Sequence, residues 1–167
     1  MIPSTLASAT KLTGRLVAEC RDGEGRLVWR EDINNGVTTE GRNHLLDVGF
    51  HGASQAGAWY LGLIDADGYT GVDGGDTLAS HDGWAEFTDY SGNRPEWTEG
   101  AASDGTIANA SPVTYTFSGA GAIKGAFLAS AATGTTGVLY ATALFGSDKP
   151  VADGYTLNLT YSVSLTS

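Results

Sequence analysis

One cysteine, one methionine, four prolines and only nine lysine and arginine residues are present in 167 residues, and these scarcities exclude more than the abundant residues establish. The lone Cys20 rules out an intramolecular disulfide framework and a multi-cysteine zinc site. Nine basic residues against nineteen acidic ones leave a net charge of −10, a surface that repels phosphate and anionic lipid. The expected partners therefore include neither nucleic acid nor a membrane surface. No apolar run approaches the ~20 residues of a membrane-spanning helix. The opening Met1-Ile-Pro-Ser-Thr-Leu6 lacks a basic stretch followed by a long apolar one, so a soluble protein made in a reducing compartment is expected.

What remains is a chain with 41% hydrophobic and 17% charged residues, too apolar for intrinsic disorder and long enough to bury a core. Its 24 glycines follow no collagen-like period and imply many tight turns. The expectation is one domain over residues 1–167, with residues 1–10 as a flexible N-terminal arm.

Strand signals dominate. Leu12 to Cys20 and Leu27 to Arg30 flank the turn Arg21-Asp-Gly-Glu-Gly25 and predict a hairpin, with Asn34-Asn-Gly36 ending its second strand. One helix follows: Thr38 or Thr39 caps it, Leu45, Leu46 and Val48 form its apolar stripe, and Gly49 stops it. Trp59 to Ile64 reads as a buried strand. Val113–Phe117, Ala122–Ser130, Gly137–Phe145 and Thr156–Ser167 add four more at the spacing of a sandwich or barrel. Leu157, Leu159, Tyr161, Val163 and Leu165 alternate with polar residues, which predicts one buried and one solvated face. The fold class expected is all-β: an antiparallel β-sandwich, jelly-roll-like, with one short helix and a long loop over residues 65–105.

Catalytic and metal motifs are thin. His81, Asp82 and Glu86 match no ligand spacing, and the carboxylates at positions one, three, nine and twelve of Asp65–Asp76 echo a calcium loop. That loop lacks the central glycine and the flanking helices, so solvated turns are the better reading and no metal or cofactor is expected. No serine sits in a nucleophile elbow, and Cys20 has no nearby histidine. No enzyme is expected. Tyr69, Trp84, Phe87, Tyr90 and Trp97 stand out in the long loop. They can plug the open end of the sandwich, stack on sugars, or form an interface with another protein, and the last is the favoured site assignment.

Gly41-Arg-Asn-His-Leu-Leu-Asp-Val-Gly-Phe50, Trp59-Tyr-Leu-Gly-Leu-Ile-Asp65 and Asp76-Thr-Leu-Ala-Ser-His-Asp-Gly-Trp-Ala-Glu86 resemble segments of small virion structural proteins of tailed double-stranded DNA bacteriophages. Gly137-Val-Leu-Tyr-Ala-Thr-Ala-Leu-Phe145 and Gly154-Tyr-Thr-Leu-Asn-Leu-Thr-Tyr161 are similar to the same set. The resemblance implies a non-enzymatic capsid cement or decoration protein, resident in the virion after synthesis in the host cytoplasm. Its partners would be the major capsid protein and sister copies in a homo-oligomer. A tail, neck or fibre component, or a carbohydrate- or receptor-binding module, is the alternative. No catalytic residue comes with it.

Overall fold

The computed structural model describes residues 10–166. Residues 1–9 of the expected N-terminal arm lie outside them. The chain is all-β and antiparallel with one short helix, as the sequence predicts, and its strands form one curled sheet. The strands are β1 (Lys11–Arg21), β2 (Leu27–Val37), β3 (Tyr60–Asp65), β4 (Glu86–Phe87), β5 (Thr106–Ala108), β6 (Val113–Thr116), β7 (Gly121–Ala129), β8 (Leu139–Val151) and β9 (Thr156–Thr166). Helix α1 (Thr39–Phe50) stands between β2 and β3. Their spatial order is β4-β3-β7-β8-β2-β1-β9-β5, with β6 also on β9.

The predicted hairpin forms because Asp22 organises its turn: its Oδ1 accepts from the amides of Glu24 and Arg26, each at 2.9 Å. The Asn34-Asn-Gly36 stop does not occur. Asn34 and Asn35 pair with Arg15 and Gly14, and Gly36 and Val37 then pair with Thr142 and Ala141 of β8. Asn35 is held there because its Nδ2 donates to the Tyr161 hydroxyl at 3.0 Å. β2 thereby carries the sheet around its bend, pairing with β1 at one end and β8 at the other.

The two halves of the curled sheet enclose the main core. Leu16, Ala18 and Cys20 of β1 and Leu157, Leu159 and Tyr161 of β9 join Leu61 of β3, Leu128 of β7 and Phe145 of β8 in one buried cluster. The Tyr115 hydroxyl crosses that core from β6 and donates to the Leu61 carbonyl at 2.5 Å. A smaller cluster covers the opposite face of β3 and β7, where Ile64 and Phe127 meet Leu78 and Trp84 from the loop. The run Leu61-Gly-Leu-Ile64 is continuously buried because both of its faces are covered. On β9 the predicted alternation buries Leu157, Leu159 and Tyr161, but Val163 is only half-buried and Leu165 is 54% exposed.

Helix α1 starts where expected. Thr38 is the N-cap, its Oγ1 accepting from the Gly41 amide at 2.9 Å. Its C-terminal signal is displaced: the helix passes Gly49 and ends at Phe50, and Gly52 takes the left-handed conformation at φ +73°.

Candidate docking surface

The aromatic residues singled out for an interface are placed inside the chain. Trp84, Phe87, Tyr90 and Trp97 are only 4–7% exposed. The Trp84 ring packs on Phe127 with centroids 5.1 Å apart, carries His81 stacked on its other side at 3.8 Å, and donates its Nε1–H to Asp76. Phe87 meets Phe117 edge-on at 5.9 Å, and Tyr90 meets Tyr115 at 4.9 Å. Trp97 donates its indole N–H to the Tyr161 carbonyl at 3.0 Å. Tyr69 is half-buried against the smaller cluster, with the Lys124 ammonium 5.4 Å from its ring centre. The expectation of a docking surface is therefore corrected for Trp84, Phe87, Tyr90 and Trp97, whereas Tyr69 stays partly exposed. The apolar area of these four rings is satisfied within the fold, and Trp84, Tyr90 and Trp97 keep no open face on which a sugar could stack.

Backbone pairing explains why so irregular a segment is ordered. The Leu61 amide donates to Pro95, and the Trp97 amide to Trp59, along the edge of β3 that β4 leaves uncovered. The Ser91 amide donates to Thr116 of β6, and the Gly100 amide to Ala108 of β5. The segment thus joins the two edges of the curled sheet, giving their backbone groups partners. An ion pair pins it. Arg94, 6% exposed, donates from Nε and Nη2 to the two Glu86 carboxylate oxygens at 2.8 and 2.7 Å. Its remaining donors reach the carbonyls of Ala131 and Gly134, both at 2.9 Å. Burial and the nearby Glu86 carboxylate push the Tyr90 phenol well above its ordinary value.

The candidate ligands are likewise occupied locally. His81 Nδ1 is 3.0 Å from the Trp84 carbonyl, and Glu86 belongs to Arg94. Asp65 accepts from the Asp67 amide, Asp73 from Gly75, and Asp76 from both the Asp73 amide and Trp84. Among the described residues no group of three or more His, Cys, Asp or Glu side chains is placed to hold a metal. Burial pushes the Cys20 thiol up to about 11, away from nucleophilic use.

Exposed apolar surface lies instead on α1. Of the expected stripe, Leu45 is 42% and Leu46 58% exposed and Val48 is half-buried; Phe50, outside the stripe, is 89% exposed, while Gly41 is the helix's buried residue. The reason is polar. The helix is held by its first turn, where the Thr38 hydroxyl and amide donate to β8 carbonyls and Glu40 Oε2 accepts from the amides of Leu78 and Leu139. Gly41 presses so closely on Tyr140 that a Cβ there would stand 2.3 Å from its carbonyl oxygen. Anchored at that end, α1 does not need its apolar side for docking.

Between α1 and the ends of β1, β5 and β9 lies an apolar groove of about 320 Å³. Leu12, Leu45, Trp59, Ile107, Val163 and Leu165 line it. Only part of this surface was foreshadowed in the sequence. The β9 alternation runs two apolar residues past the last buried one, but nothing local shows where β9 leaves the core.

A comparison with protein-family models finds no match, and a comparison with curated protein sequences finds none either.

Proposed function

We propose that this chain is a non-enzymatic structural protein of a tailed-phage particle, a cement or decoration protein that binds the outer surface of the major capsid protein. The observation that carries the reading is the outward apolar face of α1, where Leu46 and Phe50 stand 58% and 89% exposed. Large apolar side chains grouped on one helix face favour burial against a partner. The charge distribution supports a protein partner. Arg15, Arg21, Arg26, Arg30, Arg94, Lys124 and Lys149 all pair with carboxylates of the same chain, so the excess facing solvent is acidic and ill suited to nucleic acid. A rigid β body that places one apolar face on an assembled shell stabilises that shell by mass action, through many copies of a modest interface.

Electron microscopy of the particle whose genome encodes the chain tests this. Hundreds of copies on the outer shell, with α1 toward the capsid protein, are the expected result. A handful at the neck or tail would favour the tail-component alternative, and absence from the particle would overturn both.

A further inference from the structure

We propose that the partner surface on which α1 docks is an apolar cleft with a carboxylate at its rim: Leu46 and Phe50 enter the cleft, Arg42 pairs with the carboxylate, and Gly49 lets the partner's backbone come close. The proposal rests on the reading of α1 as the capsid-facing element and specifies what that element recognises. Arg42, Leu46 and Phe50 follow one another at intervals of four residues, so they form one stripe about 12 Å long on the helix surface. All three are exposed, on the side of the helix away from Gly41, which presses on Tyr140.

The charge expected on the partner follows from what Arg42 lacks. Seven of the chain's nine basic residues pair with its own carboxylates, whereas Arg42 and Lys11 have no such pairing among the described residues. Arg42 makes one side-chain hydrogen bond there, from Nη2 to Thr39 Oγ1 at 3.0 Å. The rest of its planar fork stands at the head of an apolar stripe, a geometry suited to bidentate pairing with a carboxylate. Elsewhere the surplus charge is acidic and repels carboxylates. A single free cation in that setting fixes where on the helix a partner's carboxylate can sit, and so sets the register of docking.

Gly49 is a second, independent sign. It lies one turn after Leu45 and Leu46, beside the stripe, and is exposed. Its backbone is not left-handed and a Cβ there would meet open space, so the fold itself places no demand for glycine at this position. Glycine also weakens a helix interior relative to alanine. Close approach of another backbone from outside is a demand that glycine meets. Anchors at i, i+4 and i+8 beside such a residue fit a helix laid into a groove of a protein surface.

The test adds the full chain to particles assembled without it, reads occupancy by sedimentation, and records the thermal midpoint of every variant. The native chain should bind, Arg42→Glu should lose about tenfold in affinity, and Arg26→Glu should bind as the native chain does. Arg26 undergoes the same change of charge beyond Leu27, at the end of β2 remote from α1. Raising the salt concentration should narrow the gap between the native chain and Arg42→Gln. Gly49→Leu should keep or raise the thermal midpoint yet lose about tenfold in affinity, whereas a face held by apolar area alone would bind as well or better with leucine there. An unaffected Arg42→Glu, equal losses for Arg42→Glu and Arg26→Glu, a gap that salt leaves unchanged, or undiminished binding of Gly49→Leu would each overturn this proposal while leaving α1 as the docking element. A native chain that does not bind would overturn the reading of α1 itself, and this proposal with it.

Discussion

Residues 65–105 and helix α1 invert the usual link between regularity and burial. The first region has little regular structure, yet Leu78, Trp84, Phe87, Tyr90 and Trp97 are all buried within it. The second is three turns of helix, yet its larger apolar side chains face outward. What orders each is the destination of its backbone and polar groups. The loop's amides pair with two sheet edges and its carboxylates with its own turns, whereas the helix satisfies its backbone internally and needs only its first turn for attachment. Apolar content therefore predicts burial poorly when polar anchoring decides where a segment lies.

The sharpest way to break this comparison is to remove a ring from the loop. Trp97→Ala or Trp84→Ala should each destabilise the fold by about 3–5 kcal/mol, as truncation of a buried tryptophan does. Urea denaturation followed by circular dichroism measures this, and a variant with native stability would return these rings to the surface. Arg94→Ala should cost a similar ~3–5 kcal/mol, because Glu86 would be left charged in a mostly buried site. Glu86→Gln should cost less, since the amide oxygen still accepts from the guanidinium.

The contrast also separates what the sequence reveals from what it conceals. Strand alternation and the Asp22 turn made β1, β2 and the strands after Val113 legible, because a period of two and a glycine-rich turn are local signals. The continuation through Asn34-Asn-Gly36 was not, since it depends on the Tyr161 hydroxyl 126 residues away. The loop aromatics were visible as a group, but their inward orientation is set by pairing with Leu61, Thr116 and Ala108 at the sheet edges, and such pairing has no sequence period. The helix was legible as a helix with an apolar stripe, but the direction in which that stripe faces was not. Gly41 was the available clue, being the one position at which the helix can lie against Tyr140.

Alkaline pH should weaken the main core, where Cys20, Tyr115, Tyr140 and Tyr161 are buried. Burial lifts the Cys20 thiol from 9.0 to about 11 and the Tyr140 phenol from 10.0 to about 12, and it raises Tyr115 and Tyr161 as well. The unfolded chain ionises these groups at their ordinary values, so the folded state binds more protons over that interval. Its stability is fully present below about pH 9 and falls as pH rises toward 12. Thermal melts across this range should show a steady decline, and a flat profile would mean that the phenols are solvated. At the other anchor, Gly41→Ala should cost about 1–3 kcal/mol. Alanine's better helix propensity, worth about 1 kcal/mol, is outweighed by a Cβ forced against the backbone of β8. Hydrogen exchange should then quicken in α1 while the strands of the main core keep their protection.

The smallest effect on stability should come from the most conspicuous apolar residues. Phe50 and Leu46 are large, but at 89% and 58% exposure they make little contact with the rest of the chain, so Phe50→Ser and Leu46→Ser remove almost no buried area. Each should change unfolding free energy by no more than about 0.5 kcal/mol, within the range of ordinary surface substitutions. The serine's lower helix propensity falls near the C-terminal end of α1, where it matters least. Equilibrium denaturation of the double variant therefore isolates what these side chains do outside the monomer. Native stability combined with reduced occupancy on the assembled particle would assign them to the partner surface. A loss of several kcal/mol would instead show that α1 packs through this face after all, and the contrast between loop and helix would collapse.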